Sequence, residues 1–137
     1  MNRRKGEKTM KTILSTDKAP LAIGPYSQGI NTGNLLFLSG QLPICPEKGE
    51  IVATDIEGQT RQSLENVKAI LASAGCTMDD VVKTTVFLQD IADFAKMNGV
   101  YAEFFNEGNY PARSAFQVAA LPKEALVEIE VVALKAE

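Results

Sequence analysis

An α+β fold is what this sequence predicts: a mixed sheet of about six strands with two helices packed on one face. Three observations lead there. Two segments, Asp55–Gly75 and Asp90–Gly108, repeat apolar residues at steps of three and four, the spacing of one helix face. Shorter runs rich in apolar and β-branched residues lie before, between and after them. In the last run Val127, Ile129, Val131 and Ala133 alternate with Glu128, Glu130, Val132 and Leu134, the period of a strand.

Taken in order, Lys11–Thr16 reads as an edge strand, and Ala19–Tyr26 as a loop with two prolines and a glycine. Ser27–Asn31 and Leu35–Ser39 are the arms of a hairpin turned by Thr32-Gly33-Asn34. The second arm, with its run Leu35-Leu36-Phe37-Leu38, suits an interior strand. Gly40–Gly49, carrying Pro43 and Pro46, reads as an irregular connection. Asp55 caps the first helix, Ile56, Thr60, Leu64, Val67, Leu71 and Ala74 form its inner face, and Gly75 follows its end. Val81–Leu88, rich in valine and threonine, is a strand. The second helix starts at Asp90 or Asp93, with Phe94, Met97, Tyr101, Phe104 and Phe105 read as core, and Gly108 ends it. Arg113–Ala119 and Leu126–Lys135 complete the sheet. A strand–helix–strand–helix–strand order requires right-handed crossovers. Two helices cover one sheet face, which leaves Val132 and Leu134 on the other. An uncovered, half-apolar sheet face implies a homo-oligomer and opens the way to a site built from two chains.

The 137 residues suit a single domain over residues 10–137. Met1–Thr9 stands apart as a basic extension, with Arg3, Arg4, Lys5 and Lys8 against Glu7, and is expected to be disordered. The net charge is −3 with this stretch included, so the body is acidic and ill suited to nucleic acid. No apolar run approaches the roughly 18 residues of a membrane span, and the start lacks the apolar core of a secretory signal. With no histidine, and with Cys45 and Cys76 far apart, no usual metal site is expected. Ser-His and Cys-His nucleophiles are excluded on the same ground. Acid–base work must fall to carboxylates, tyrosine, lysine or water. The cysteines are read as free thiols in a reducing, cytoplasmic setting.

Beyond the basic stretch there are two arginines. Arg61 lies on the polar side of the first helix and reads as a solvated charge. Arg113 lies at the mouth of a strand, between Pro111-Ala112 and Ser114, where a planar fork suits a carboxylate or phosphate. An ion pair with Glu128 or Glu130 on the following strand explains it equally well. Glu128 points away from the helix-covered face and can serve as a general base, although an exposed or lysine-paired carboxylate is the commoner case. Tyr26 follows Gly24-Pro25 in a loop, within reach of a neighbour or ligand. At Ser39-Gly40-Gln41 a backbone N–H beside a glycine can cradle an oxyanion or simply make a tight turn.

A wider pattern includes these residues. It runs through Ala22-Ile23-Gly24-Pro25-Tyr26-Ser27-Gln28, Ser39-Gly40-Gln41-Leu42-Pro43, Gln62-Ser63-Leu64-Glu65-Asn66-Val67 and Val82-Lys83-Thr84-Thr85-Val86-Phe87-Leu88. It continues through Asp93-Phe94, Asn98, Tyr101, Phe104-Phe105, Pro111-Ala112-Arg113-Ser114, Leu121-Pro122 and Val127-Glu128-Ile129-Glu130. From about Met10 onward the chain resembles the Rid family of reactive intermediate deaminases. The resemblance implies a chorismate-mutase-like fold, a homotrimer with clefts between subunits, and no cofactor or metal. It implies hydrolysis of 2-imino acids and their enamines, such as 2-iminobutanoate and 2-iminopropanoate, to 2-oxo acids and ammonia. Dehydratases dependent on pyridoxal phosphate would release those imines. Position by position, Arg113 would hold the substrate carboxylate, and Glu128 would activate water with help from the Tyr26 phenol. Ser39 and the Gly40 backbone would line the pocket, with Asn98 nearby. Many members carry cysteine where this chain has Ala115, whose backbone carbonyl can still orient water. Glu130 keeps a structural role.

An iminium carbon is already electrophilic, so a fixed carboxylate and an oriented water supply most of what such a reaction needs. The alternative from another class is a non-catalytic trimer that binds small carboxylates or acts as a holdase. The joint presence of Arg113 and Glu128 favours the enzyme. RNA cleavage, also attached to the family, fits the acidic body poorly.

Overall fold

The computed structural model describes residues 11–135, so the basic stretch Met1–Thr9 lies outside the described residues. Along the chain come β1 (Thr12–Leu14), β2 (Gly29–Asn31), β3 (Leu35–Gln41), β4 (Ile44–Cys45), β5 (Glu50–Ile51) and α1 (Ile56–Ser73). They are followed by β6 (Val81–Leu88), α2 (Phe94–Glu103), β7 (Ala112–Gln117) and β8 (Val127–Leu134). Six strands form one mixed sheet in the order β1-β2-β3-β8-β6-β7. β6 and β7 pair in parallel across the α2 crossover, and the other ladders of this sheet are antiparallel. This is the expected α+β arrangement.

Local chemistry sets the boundaries. The Asp55 carboxylate accepts a hydrogen bond from the Gly58 amide at 3.0 Å and starts α1. Gly75, at φ 77°, takes the left-handed position after its end. α2 begins at Phe94, after a short 3-10 turn that Asp90 caps through the Ala92 amide at 2.9 Å. It stops at Glu103, well before Gly108. The connection Gly40–Gly49 is more ordered than expected: β3 runs on to Gln41, and β4 pairs with β5 in a separate ribbon. Most consequential is the order of the last strands. β7 and β8 follow each other in sequence, yet β6 lies between them, so residues of the two cannot face each other across a ladder.

α1 and α2 lie on one face. Leu64, Val67, Ile70 and Leu71 of α1 and Met97 and Tyr101 of α2 bury against Leu36, Val86, Leu88, Val127, Ile129 and Val131. Along the opposite face Ile13, Ile30, Phe37 and Val132 form a row across four strands, set by the ladder register. Ile13 is 60% exposed, Phe37 44% and Leu134 52%. The uncovered, half-apolar face expected from the alternation in β8 is therefore present.

α1 also buries polar side chains, and they fix loops. The Asn66 amide donates to the Leu42 and Ile44 carbonyls at 3.1 and 2.9 Å, and its oxygen accepts from Gln62 at 3.0 Å. Gln59 donates to the Ala53 carbonyl and accepts from the Leu126 amide. Asn66→Ala is expected to lower stability by about 1–3 kcal/mol, since it strips donors from part-buried carbonyls. A denaturant midpoint equal to that of wild type would contradict this role.

Candidate functional site

The predicted site residues separate into two groups on opposite faces of the sheet. Arg113 stands opposite Thr84 in the β6–β7 ladder, and Thr84 stands opposite Val131 in the β6–β8 ladder. Both partners are buried under the helices, so Arg113 emerges on the helix face, with Ala115 two residues on packed against the core. Glu128 stands opposite Phe87 and so emerges on the open face. The ion pair between Arg113 and Glu128 or Glu130, one explanation of the arginine, does not form.

Around Arg113 the partners come from α2. Its Nη1 donates to Asn98 Oδ1 at 2.5 Å. Its guanidinium carbon lies 5.3 Å from the centre of the Phe94 ring and 4.8 Å from that of Tyr101. Phe94, expected as plain core, is thus also a platform for the cation. Among the described residues no carboxylate pairs with Arg113. Arg61 behaves differently, forming an exposed two-pronged pair with Glu103 at 3.0 and 3.2 Å that ties α1 to α2. Asn98, Tyr101, Tyr110, Pro111 and Arg113 line a cavity of about 430 Å³. Tyr110 went unnoticed in the sequence. Phe94, Asn98 and Tyr101 carried a signal, since steps of four and three place them on one helix stripe.

On the other face Tyr26, Ser39, Gly40, Lys123 and Glu128 share a cavity of about 410 Å³. The Tyr26 loop is held by buried Gln28, which accepts from the Thr16 amide at 2.7 Å and donates to the Pro20 carbonyl at 2.7 Å. The Ser39 amide is spent on the Gln28 carbonyl at 2.9 Å and its hydroxyl on the Ser27 carbonyl at 2.6 Å. Ser39 therefore meets the cavity as a hydroxyl acceptor, and its amide is not free to cradle an oxyanion. The β3–β8 register shifts between Leu38 and Gln41, a bulge that brings Gly40 against the Glu128 side chain. No sequence signal points to Lys123. It and Glu124 both adopt left-handed backbone, at φ 57° and 56°, in a turn closed by the Ala125 amide on the Pro122 carbonyl.

Burial pushes the Glu128 carboxyl above its ordinary value, and the Glu130 charge adds to the shift. A base must be ionised, so the acid limb of a rate profile that depends on Glu128 lies above the usual glutamate range. Glu130→Gln removes the like charge and is expected to move that limb to lower pH, with the maximal rate little changed. A limb that stays in place, or moves up, would exclude coupling of the two carboxylates. Among the described residues no group of three or more metal-ligating side chains gathers, and no helix is long and apolar enough to cross a membrane.

A family model described as endoribonuclease L-PSP matches residues 16–135. A crystal structure of a conserved Rid family protein from Yersinia pestis is 50% identical, covers 91% of this chain and 99% of its own, and superposes with a TM-score of 0.89. The chain belongs to the Rid family. A Rid relative from Escherichia coli named 2-iminobutanoate/2-iminopropanoate deaminase is 50% identical over 92% of this chain and 99% of its own length. The structure of Escherichia coli TdcF with bound serine is also 50% identical, covering 91% of this chain and 99% of that one, with a TM-score of 0.86.

Proposed function

We propose that the chain is a cytoplasmic 2-imino acid deaminase that works as a homotrimer. It hydrolyses 2-iminobutanoate, 2-iminopropanoate and their enamine tautomers, released by dehydratases dependent on pyridoxal phosphate, to 2-oxo acids and ammonia. One observation carries this reading. Arg113 is a half-buried guanidinium with neutral neighbours, Phe94, Tyr101 and Asn98, and no carboxylate partner among the described residues. A substrate carboxylate supplies the missing anion in a charge-assisted pair. The name of the Escherichia coli deaminase supports the reaction, and the serine bound to TdcF, which also bears a carboxylate, supports the ligand class.

With the carboxylate held, water adds to C2 of the protonated imine and the C=N electron pair moves to nitrogen. Glu128 takes the proton that the water loses. Glu128 or the Tyr26 phenol then gives a proton to the carbinolamine nitrogen, and the C2–N bond breaks to release ammonia. The hydroxyl passes its own proton to the group just deprotonated as its oxygen becomes the new carbonyl. Ser39 accepts from the substrate N–H, and the backbones at Gly40 and Ala115 flank the water. Both Arg113 and Glu128 are needed, and within one chain they occupy opposite sheet faces. The cleft is therefore formed by two subunits, which the apolar row Ile13–Phe37–Val132 on the open face, with Ile13 and Phe37 exposed, supports.

The test generates 2-iminobutanoate in place with a threonine dehydratase and follows 2-oxobutanoate release against semicarbazide trapping. The protein is expected to accelerate release over spontaneous hydrolysis. No acceleration would leave the carboxylate-binding alternative. Sedimentation as a monomer at micromolar concentration would remove the shared cleft.

A further inference from the structure

We propose that Tyr101 and Phe94 are positioning residues that hold the Arg113 guanidinium ready for a carboxylate, an inference that rests on Arg113 binding one. An arginine side chain at a surface samples many rotamers, and ordering it on binding costs affinity. Here the ordering is done beforehand. Phe94, Asn98 and Tyr101 share one stripe of α2, and all three meet the guanidinium. The Tyr101 ring is itself fixed. Its hydroxyl lies 2.7 Å from the Thr84 hydroxyl in a buried contact, and its ring packs on Phe105 at 4.8 Å between centres. Thr84 is the ladder partner of Arg113, so the residue that anchors the ring sits beside the residue the ring supports. With one N–H taken by Asn98 and the guanidinium against rings that accept no ordinary hydrogen bond, the other N–H groups remain for the ligand. The two aromatic faces and the Asn98 oxygen favour the cation without neutralising it as a carboxylate would.

The cradle assigns different work to the two parts of Tyr101. The hydroxyl secures the ring and the fold, and the ring secures the cation. The experiment titrates 2-oxobutanoate by calorimetry into wild type, Tyr101→Leu, Tyr101→Phe, Phe94→Leu and Arg113→Ala, with folding checked by circular dichroism. Tyr101→Leu is expected to weaken binding by about tenfold and Phe94→Leu by about threefold. Tyr101→Phe keeps the ring and recovers most of the affinity, while its melting temperature falls because Thr84 loses its partner. For the imine substrate the loss appears in KM, with kcat changed by less than about threefold. Should Tyr101→Leu fail to fold, Phe94→Leu carries the test, since that ring is only part-buried.

Wild-type affinity in the leucine variants, with binding lost in Arg113→Ala, would overturn the cradle and leave the carboxylate reading of Arg113 intact. Wild-type affinity in Arg113→Ala would overturn both. A fall in kcat with KM and affinity unchanged would make Tyr101 and Phe94 structural only.

Discussion

Arg113→Ala and Glu128→Gln are each expected to lower kcat/KM for 2-iminobutanoate by about 10²–10³-fold, while the two variants co-expressed regain about a quarter of wild-type activity. The single losses follow from removing either the partner of a substrate charge or the base that takes a proton from water. The recovery follows from the sheet. If each cleft takes Arg113 from one subunit and Glu128 from another, random mixing in equal amounts leaves each half intact half the time. A mixture as inactive as its components would show that the two residues do not meet across an interface. Arg113→Lys is expected to be a poor substitute, because an ammonium lacks the planar fork and stacks less well on Phe94 and Tyr101. Glu128→Gln should also melt at a higher temperature at neutral pH. A carboxyl whose folded value is raised contributes most to stability below its unfolded value, and that contribution is lost as pH rises through the folded one. At neutrality the buried charge is a cost, and glutamine removes it.

Gly40→Ala is expected to lower kcat by about 10²-fold with little loss of stability. A Cβ at Gly40 would lie 2.8 Å from Glu128 Oε2, 2.9 Å from Cδ and 3.1 Å from Cγ. No side chain tolerates that approach, so the carboxylate must swing aside. The Glu128 side chain is flexible and borders a cavity, which keeps the rearrangement inexpensive for the fold. For a base that must reach one water it is severe, since a displacement of about 1 Å is enough to lose such a factor. Gly40 thus contributes the absence of a side chain. Wild-type kcat in Gly40→Ala would mean that the carboxylate does not act from this position.

Much of the architecture is written in local pattern. Asp55 and Gly75 bound α1 through capping and left-handed geometry, which depend on near neighbours alone. The alternation from Val127 to Leu134 named the covered and uncovered faces of β8 correctly, because a strand's period is independent of its partners. What stayed hidden depends on partners. The insertion of β6 between β7 and β8 is a property of topology that separates the two strands, and the registers on either side of it set Arg113 and Glu128 on opposite faces. β4 and β5 are two residues each, too short for any period to register. The left-handed turn at Lys123 and Glu124 uses residues that rarely adopt that backbone, so nothing in their identity announces it. Of the site, Arg113 and Asn98 do meet, as do Tyr26, Ser39, Gly40 and Glu128 around a second cavity. The pattern of residues pointed to each half, while the separation of the halves emerged only in three dimensions.

That sidedness has a consequence for how the protein behaves when scarce. On the proposed assembly, a solitary chain carries a carboxylate grip on one side and a proton acceptor on the other, and neither completes a reaction. Turnover per chain then falls on dilution, over the concentration range in which the subunits come apart. A newly made chain would stay silent until it met its partners, so the onset of activity would be set by abundance.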